Sequence, residues 1–322
     1  MKKELRAAGI TATGSYAPEK IVTNSDIVER GVDTSDEWIY TKLGIKERRF
    51  VTDEETSDLT VNAIKNLLKE TELAPADLDM IIVATGTPDM MSPSTACIVQ
   101  DKLKAKNAAA FDINNACTGF NYAIEVGAKF VADGTYDNVV VVGAEVNSTL
   151  LNWDDRTTCV YFADAAGAVL LNPVGNGYGM LGSYLGADGS KRDVLYVARE
   201  GNDYFKYRIH MDGKAVWDFA VNIFPTAVRK AVEQCDLTIE DIDFLISHQA
   251  NINIIEHCMK ELGLSMDQTY TTIRDYGNTV AASIPLSLDY AVRKGKIKRG
   301  DIVVFVGFGA GLTWGANVVR WV

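Results

Sequence analysis

Apolar residues recur at helical spacing from Ser57 to Glu70, and a short β-branched run, Met80-Ile81-Ile82-Val83-Ala84, follows after a polar connection. The same order returns later in the chain. Phe219 to Gln234 repeats the helical pattern, and Phe244-Leu245-Ile246-Ser247-His248 supplies the strand. A second pair of segments matches as well. Ala109–Ile113 reads as a buried strand, Cys117 to Gly134 as an amphipathic helix with a glycine stop, and Val139–Gly143 as the next strand. In the later half, Asn278 opens a helical stretch ending at Gly295, before the strand Ile302–Gly307. Cys117 to Gly134 and Asn278 to Gly295 are both separations of 17 residues. Pro285 lacks an N–H and fits a first turn, so the later helix is expected to begin just after Asn278.

This pattern predicts an internal duplication of an α/β unit, with mostly parallel strands under helices on both faces. The turn-forming run Asn172 to Gly179 divides the chain into an N-terminal half, 1–174, and a C-terminal half, 175–322. Gly186 to Gly213, rich in Gly, Asp, Arg and Tyr, reads as a long surface excursion of the second half.

Composition narrows the class. The 322 residues are 47% apolar and 23% charged, as in a globular protein with large cores. The formal charge of −11, with scattered Lys and Arg, excludes nucleic-acid binding as a property of the whole surface. The N-terminal Met1 to Arg6 has positive charge but no apolar run for a signal peptide, and no segment is long enough to span a membrane. Cysteines at 97, 117, 159, 235 and 258 have no disulfide framework spacing, which points to reduced thiols in a cytoplasm. No CxxC or HExxH pattern supports a metal.

Three positions stand out chemically. Cys117, in Asn114-Asn115-Ala116-Cys117-Thr118-Gly119-Phe120, lies between a strand and a helix start. There the macrodipole is expected to lower the thiol pKa, and the residue's own N–H is open to an oxyanion. His248 ends a strand, where open α/β sheets collect functional groups. Asn278, in Tyr276-Gly277-Asn278-Thr279, could be a simple helix cap, but pseudo-twofold packing of the two helix starts would bring it to Cys117. The glycine-rich Gly307-Phe308-Gly309-Ala310-Gly311-Leu312-Thr313-Trp314-Gly315 lacks a phosphate-loop Lys and is better suited to aiming an N–H at an acyl oxygen.

Taken together, Cys117, His248-Gln249-Ala250-Asn251, Gly277-Asn278-Thr279 and Gly307–Gly315 resemble the β-ketoacyl-acyl carrier protein synthase III family. The likeness runs the full length and includes Thr34–Ile39 and Asp154–Thr157. It implies a thiolase-like α/β fold, with duplicated mixed-sheet halves in a five-layer αβαβα arrangement, in a homodimer. It implies that Cys117 takes the acyl group of an acyl-CoA, with the N–H groups of Cys117 and Ala310 as oxyanion hole. Malonyl-acyl carrier protein would then lose CO₂ while His248 and Asn278 hydrogen-bond the developing enolate. No cofactor is implied, since CoA arrives as part of the substrate. Family positions for CoA fall on Trp38, Lys42, Arg156 and Asn251, with Trp38 and Arg156 sandwiching adenine. Ser92 and Phe308 fall on the acyl-pocket wall. Asp218, Asn253 and Glu261 replace basic residues that receive the carrier protein in other members, so a synthase III relative of a specialised, polyketide-type pathway is the alternative. A silent partner subunit would lack the nucleophile.

Overall fold

The β-branched runs become the centres of two sheets, because strands covered on both faces must be apolar throughout. A computed structural model describes residues 5–201, 203 and 206–322. Residues 1–4 of the Met1 to Arg6 segment, which showed no apolar run, lie outside these, as do 202, 204 and 205 of the 186–213 segment.

The chain opens with β1 (Ala7–Tyr16), β2 (Ile21–Thr23), α1 (Asn24–Glu29), α2 (Asp36–Leu43) and β3 (Glu47–Arg49). It continues through α3 (Thr56–Leu68), β4 (Met80–Ala84), α4 (Thr95–Leu103), β5 (Ala109–Ile113), α5 (Gly119–Ala132), β6 (Val139–Val146) and β7 (Asp164–Val174). Then come β8 (Gly179–Ala187), β9 (Leu195–Arg199), β10 (Tyr207–Met211), α6 (Gly213–Glu233) and β11 (Phe244–Ser247). Last are α7 (Ile252–Leu262), α8 (Ile273–Tyr276), α9 (Ser283–Arg293), β12 (Ile302–Gly309) and β13 (Thr313–Arg320).

The first sheet has the order β1-β7-β6-β4-β5 and the second β11-β12-β13-β8. The helices make three further layers. Apolar side chains of α3 and α4 cover the outer face of the first sheet, and those of α6 and α7 cover the second. Between the sheets lie α5 and α9, whose Phe120, Ile124, Ile284 and Leu288 share one core with Ile82, Val141, Ile246 and Phe305. This is the five-layer order that the resemblance implied.

Two expectations are corrected. The strands are evenly mixed rather than mostly parallel: β4 runs parallel to β5 and β6, but β7 returns antiparallel to β6 and β1. In the second sheet β11 and β12 are parallel, while β13 turns back as a hairpin. Crossover helices impose parallel pairs, and the closing return of each half imposes antiparallel ones. Nor is β5 buried. It forms the edge of its sheet, with Ala109 exposed and the rest half-covered. Its counterpart in the second half shrinks to one bridge between Leu245 and Thr269.

The inner layer is seated by two glycines that face each other across β6 and β7, Gly143 and Gly167. A Cβ on Gly143 would lie 2.1 Å from the Ala281 carbonyl oxygen, and one on Gly167 would lie 2.5 Å from the Leu286 nitrogen. The backbone before and within α9 therefore rests directly on the sheet. Gly143→Ala should lower the urea midpoint by the equivalent of about 2–3 kcal/mol at unchanged slope. Gly175→Ala, which meets nothing within 4 Å, should stay within about 0.5 kcal/mol of wild type.

Candidate active site

Cys117 sits in a single 3₁₀ turn, Ala116–Thr118, wedged between the end of β5 and the first residue of α5. The turn begins with Ala116 at φ 45°, a left-handed conformation that costs an alanine about 1–2 kcal/mol. The Thr118 hydroxyl is hydrogen-bonded to the Thr313 hydroxyl at 2.8 Å, which ties the turn to the β12–β13 hairpin. From that hairpin Gly309 comes so close that a Cβ there would lie 2.8 Å from the Cys117 sulfur. The next residue, Ala310, turns its N–H onto the same sulfur, as does Cys117's own N–H. Strain, side-chain pairing and a missing Cβ together aim one sulfur at two backbone donors.

His248 follows β11, and its N–H donates to Val306 O at 2.8 Å, extending the β11–β12 ladder. Its Nδ1 lies 2.7 Å from the Ser283 hydroxyl, and the Phe308 ring packs edge-on at 5.5 Å. Asn278 is held by the segment before β7: its N–H donates to Tyr161 O and its carbonyl accepts the Ala163 N–H, both at 2.9 Å. The Asn278 Oδ1 accepts the Val280 N–H at 2.9 Å, so its amide NH₂ is left for the cavity.

The duplication is real in shape but offset from the count of 17 residues. A second 3₁₀ turn, Val280–Ala282, precedes α9 and begins with Val280 at φ 50°, matching Ala116. The structural partner of Cys117 is therefore Ala281, and Asn278 lies one turn earlier. The equal spacings arose because α5 has 14 residues and α9 has 11. Even so, Cys117, His248 and Asn278 line one narrow cavity of about 50 Å³ together with Phe308. Phe308 thus stands beside His248 in this cavity.

Burial decides the electrostatics. Cys117 is 5% exposed. Burial pushes its thiol up to about 12, the Glu145 carboxylate adds to the rise, and the Ala310 and Cys117 N–H groups oppose it. The backbone donors at the helix start act in the expected downward direction, but burial outweighs them. Glu145 itself is buried on β6 and pushed up to about 7 by desolvation, against the donors around it. Those donors are the Thr87 hydroxyl at 2.8 Å, the Gly86 N–H at 3.1 Å, and the Ala281 N–H. Sequence reasoning missed Glu145. Its signal was an acid inside Val139-Val140-Val141-Val142-Gly143-Ala144-Glu145-Val146, a run buried throughout.

Glu145 belongs to a second cavity of about 230 Å³ that also touches Cys117. Its apolar lining includes Leu150, Phe162, Leu195, Ile209 and Val280. Leu195 and Ile209 come from β9 and β10, a hairpin within the stretch expected to be a surface excursion. The excursion instead folds over the sulfur, with Leu195 and Ile209 as buried anchors. Ser92, by contrast, is exposed on a projecting loop beside Met91, which is 97% exposed, and lines neither cavity.

Of the residues read as a CoA site, only Asn251 lines the cavity that holds Cys117, His248 and Asn278. The Arg156 guanidinium stands 4.8 Å over the Trp38 ring and donates to Asp33 O at 2.8 Å. The two groups face each other directly, so an adenine would enter only by parting them. Lys42 is exposed in the last turn of α2. Asn251 lines the first cavity, but its Oδ1 caps α7 through the Asn253 N–H and its Nδ2 donates to Lys42 O at 3.0 Å. It joins α2 to α7. Among the described residues no group of acidic, His and Cys side chains could hold a metal ion, and no helix is long and apolar enough to cross a membrane.

Residues 111–189 match the family model for 3-oxoacyl-[acyl-carrier-protein] synthase III, and residues 232–321 match the model of its C-terminal part. A β-ketoacyl-[acyl-carrier-protein] synthase III of Caldanaerobacter subterraneus is 53% identical, with 98% of each chain covered. The one from Clostridioides difficile is 49% identical, again over 98% of each chain. The solved structure of the Aquifex aeolicus synthase III superposes with a TM-score of 0.93 at 41% identity, covering 98% of this chain and all of the other. The priming β-ketosynthase of the R1128 polyketide pathway gives 0.94 at 31% identity, covering 99% of this chain and 97% of the other. Identity of this size along nearly the whole of both chains, on the same pair of thiolase-like sheets, leaves one conclusion: the chain belongs to the β-ketoacyl-[acyl-carrier-protein] synthase III family of condensing acyltransferases.

Proposed function

We propose that this enzyme transfers the acyl group of an acyl-CoA to Cys117 and condenses it with malonyl-acyl carrier protein, releasing CO₂ and starting fatty-acid synthesis. The reading rests on one observation beyond family membership. A buried sulfur faced by the Ala310 and Cys117 N–H groups shares a cavity with an imidazole and with an amide whose NH₂ is left for that cavity. In acyl transfer, the Cys117 sulfur attacks the thioester carbonyl, the two N–H groups receive the oxyanion, the C–S bond to CoA breaks, and the proton given up by the Cys117 thiol ends on the departing CoA sulfur. The acyl chain then occupies the 230 Å³ cavity behind the sulfur. In condensation the malonyl thioester oxygen accepts from Asn278 Nδ2 as CO₂ leaves, and the enolate carbon attacks the acyl-Cys carbonyl.

Trp38, Lys42 and Arg156 receive the nucleotide end of CoA, with pantetheine passing Asn251. The nucleophile belongs to a half ending at 174, and His248 and Asn278 to the half from 175. The active form is a homodimer in the cytoplasm. The outer edge of β5, with no further strand paired to it among the described residues, and the exposed Met90 and Met91 support a second copy, and all five cysteines are free thiols.

Incubation with acetyl-CoA or longer acyl-CoAs, followed by intact-protein mass spectrometry, should show one acyl adduct that Cys117→Ala removes. An adduct that survives this substitution would defeat the proposal. Asn278→Ala should leave adduct formation within about threefold but slow malonyl decarboxylation by roughly a hundredfold, the usual loss of one oxyanion donor. Parallel loss of both half-reactions would show instead that Asn278 holds the cavity together.

A further inference from the structure

The hydrogens around His248 can be counted. Ser283 Oγ lies 2.7 Å from His248 Nδ1 and 2.8 Å from the Val280 carbonyl oxygen, and all three groups are buried. Two polar heavy atoms at such distances repel unless a hydrogen lies between them. The Val280 carbonyl has none to give, so the single Ser283 hydroxyl hydrogen must point at it. The hydrogen in the other contact then has to come from the ring. The chain reads Nδ1–H to Oγ–H to carbonyl oxygen.

From this we infer that Ser283 is a positioning residue that fixes the His248 tautomer, so that the resting ring presents an unprotonated Nε2 to the cavity. The inference rests on the condensing reaction proposed above and deepens it. An unprotonated Nε2 cannot donate to an enolate oxygen. His248 must therefore gain a proton before it can assist Asn278, whose own donor is already oriented by the Val280 N–H.

The arrangement supplies a reason and a route. Burial pushes the imidazole down to about 3, so the resting ring is neutral. The other titratable groups lining its cavity are Cys117, from the turn before α5, and Tyr161, from the segment before β7. Among the described residues no carboxylate lines it; Glu145, on β6, belongs to the adjoining cavity that also touches Cys117. A malonyl thioester brings a carboxylate into this cavity, and a negative charge beside an imidazole raises its proton affinity. The ring takes one proton from solvent at Nε2 as the donor binds, and the positive charge is shared along the Ser283–Val280 chain. Loss of CO₂ leaves the electron pair as an enolate, which accepts the hydrogen bond from Nε2–H. Its carbon forms the new C–C bond, the acyl–sulfur bond breaks, and the Cys117 thiolate takes the Nε2 proton. One proton is consumed per CO₂ released, and both side chains return to their starting forms.

The test is ¹⁵N NMR of the resting enzyme labelled at histidine, with His248 assigned by His210→Gln and His257→Gln variants, since the chain has three histidines. His248 should show a protonated Nδ1 and a bare Nε2; a protonated Nε2 would overturn the inference whatever any variant does. In kinetics, enzyme-catalysed malonyl decarboxylation should fall as pH rises through the apparent pKa of the donor-bound imidazolium. Adduct formation on Cys117 should show no such fall. Ser283→Ala should move the fall lower by about one pH unit, the size of a hydrogen bond to a charged group. At neutral pH it should slow decarboxylation about tenfold, with adduct formation within twofold of wild type. Unchanged decarboxylation and pH profile in Ser283→Ala would also overturn it. Failure of the Cys117 adduct itself would instead sink the condensing reaction, so the two failures are distinguishable.

Discussion

A helix enclosed between two sheets must begin inside the protein, and its first N–H groups then have no water to bond. Both inner helices of this molecule, α5 and α9, are in that position. Their starts meet at the centre, where a Cβ on Gly119 would lie 3.6 Å from the Ala281 Cβ. Every unusual feature near the centre answers the resulting demand for acceptors and space. Glu145 accepts the Gly86 N–H and the Thr87 hydroxyl beside the start of α9, the Ala310 and Cys117 N–H groups lie near the Cys117 sulfur, and Asn278 Oδ1 takes the Val280 N–H. An enzyme that must stabilise oxyanions needs a place where unpaired donors already point inward, and this layering creates one.

The same constraint explains where strain is stored. Ala116 and Val280 adopt left-handed φ although neither is glycine. Each stands at the first residue of the 3₁₀ turn that leads into an inner helix. A relaxed entry would carry the chain away from the opposite turn. The cost of about 1–2 kcal/mol for each is offset by the apolar burial of α5 and α9 against both sheets. Gly143 and Gly309 serve the same end by subtraction, since side chains there would strike the Ala281 carbonyl and the Cys117 sulfur.

Sequence patterning read the repeating elements well because their burial is extreme: β4, β6, β11 and β12 have no exposed position, so they are apolar but for Glu145 in β6 and Ser247 at the end of β11. It failed where burial is shared with another part of the chain. Ala109–Ile113 is as apolar as an inner strand yet forms an edge, because pattern does not report which strand lies last in a sheet. The hairpin of β9 and β10 looked like surface because its polar residues outnumber its anchors, and only Leu195 and Ile209 carry it inward. Of the site, Cys117, His248 and Asn278 were visible through motif resemblance. Ser283 and Glu145 were not, since a serine in a helix start and an acid in a strand become informative only once their partners are known. The exposure of Ser92 was equally invisible, as loop direction leaves no period in the chain.

Burial that raises the Cys117 thiol to about 12 is at odds with nucleophilic chemistry only if reactivity is sought in the resting protein. Catalysis depends on the difference between ground and transition states. In a dry cavity the charge on a free thiolate is poorly solvated, so the sulfur rests as a thiol. As the sulfur attacks, charge moves from it to the carbonyl oxygen, toward donors that cost nothing further to organise. The low polarity that penalises the thiolate makes each of those hydrogen bonds stronger. Glu145 fits this account, since its elevated value of about 7 leaves it partly protonated near neutrality and lessens its repulsion of the developing charge. The centre is therefore organised for the oxyanion rather than for the free thiolate, and the buried helix starts are what make that possible.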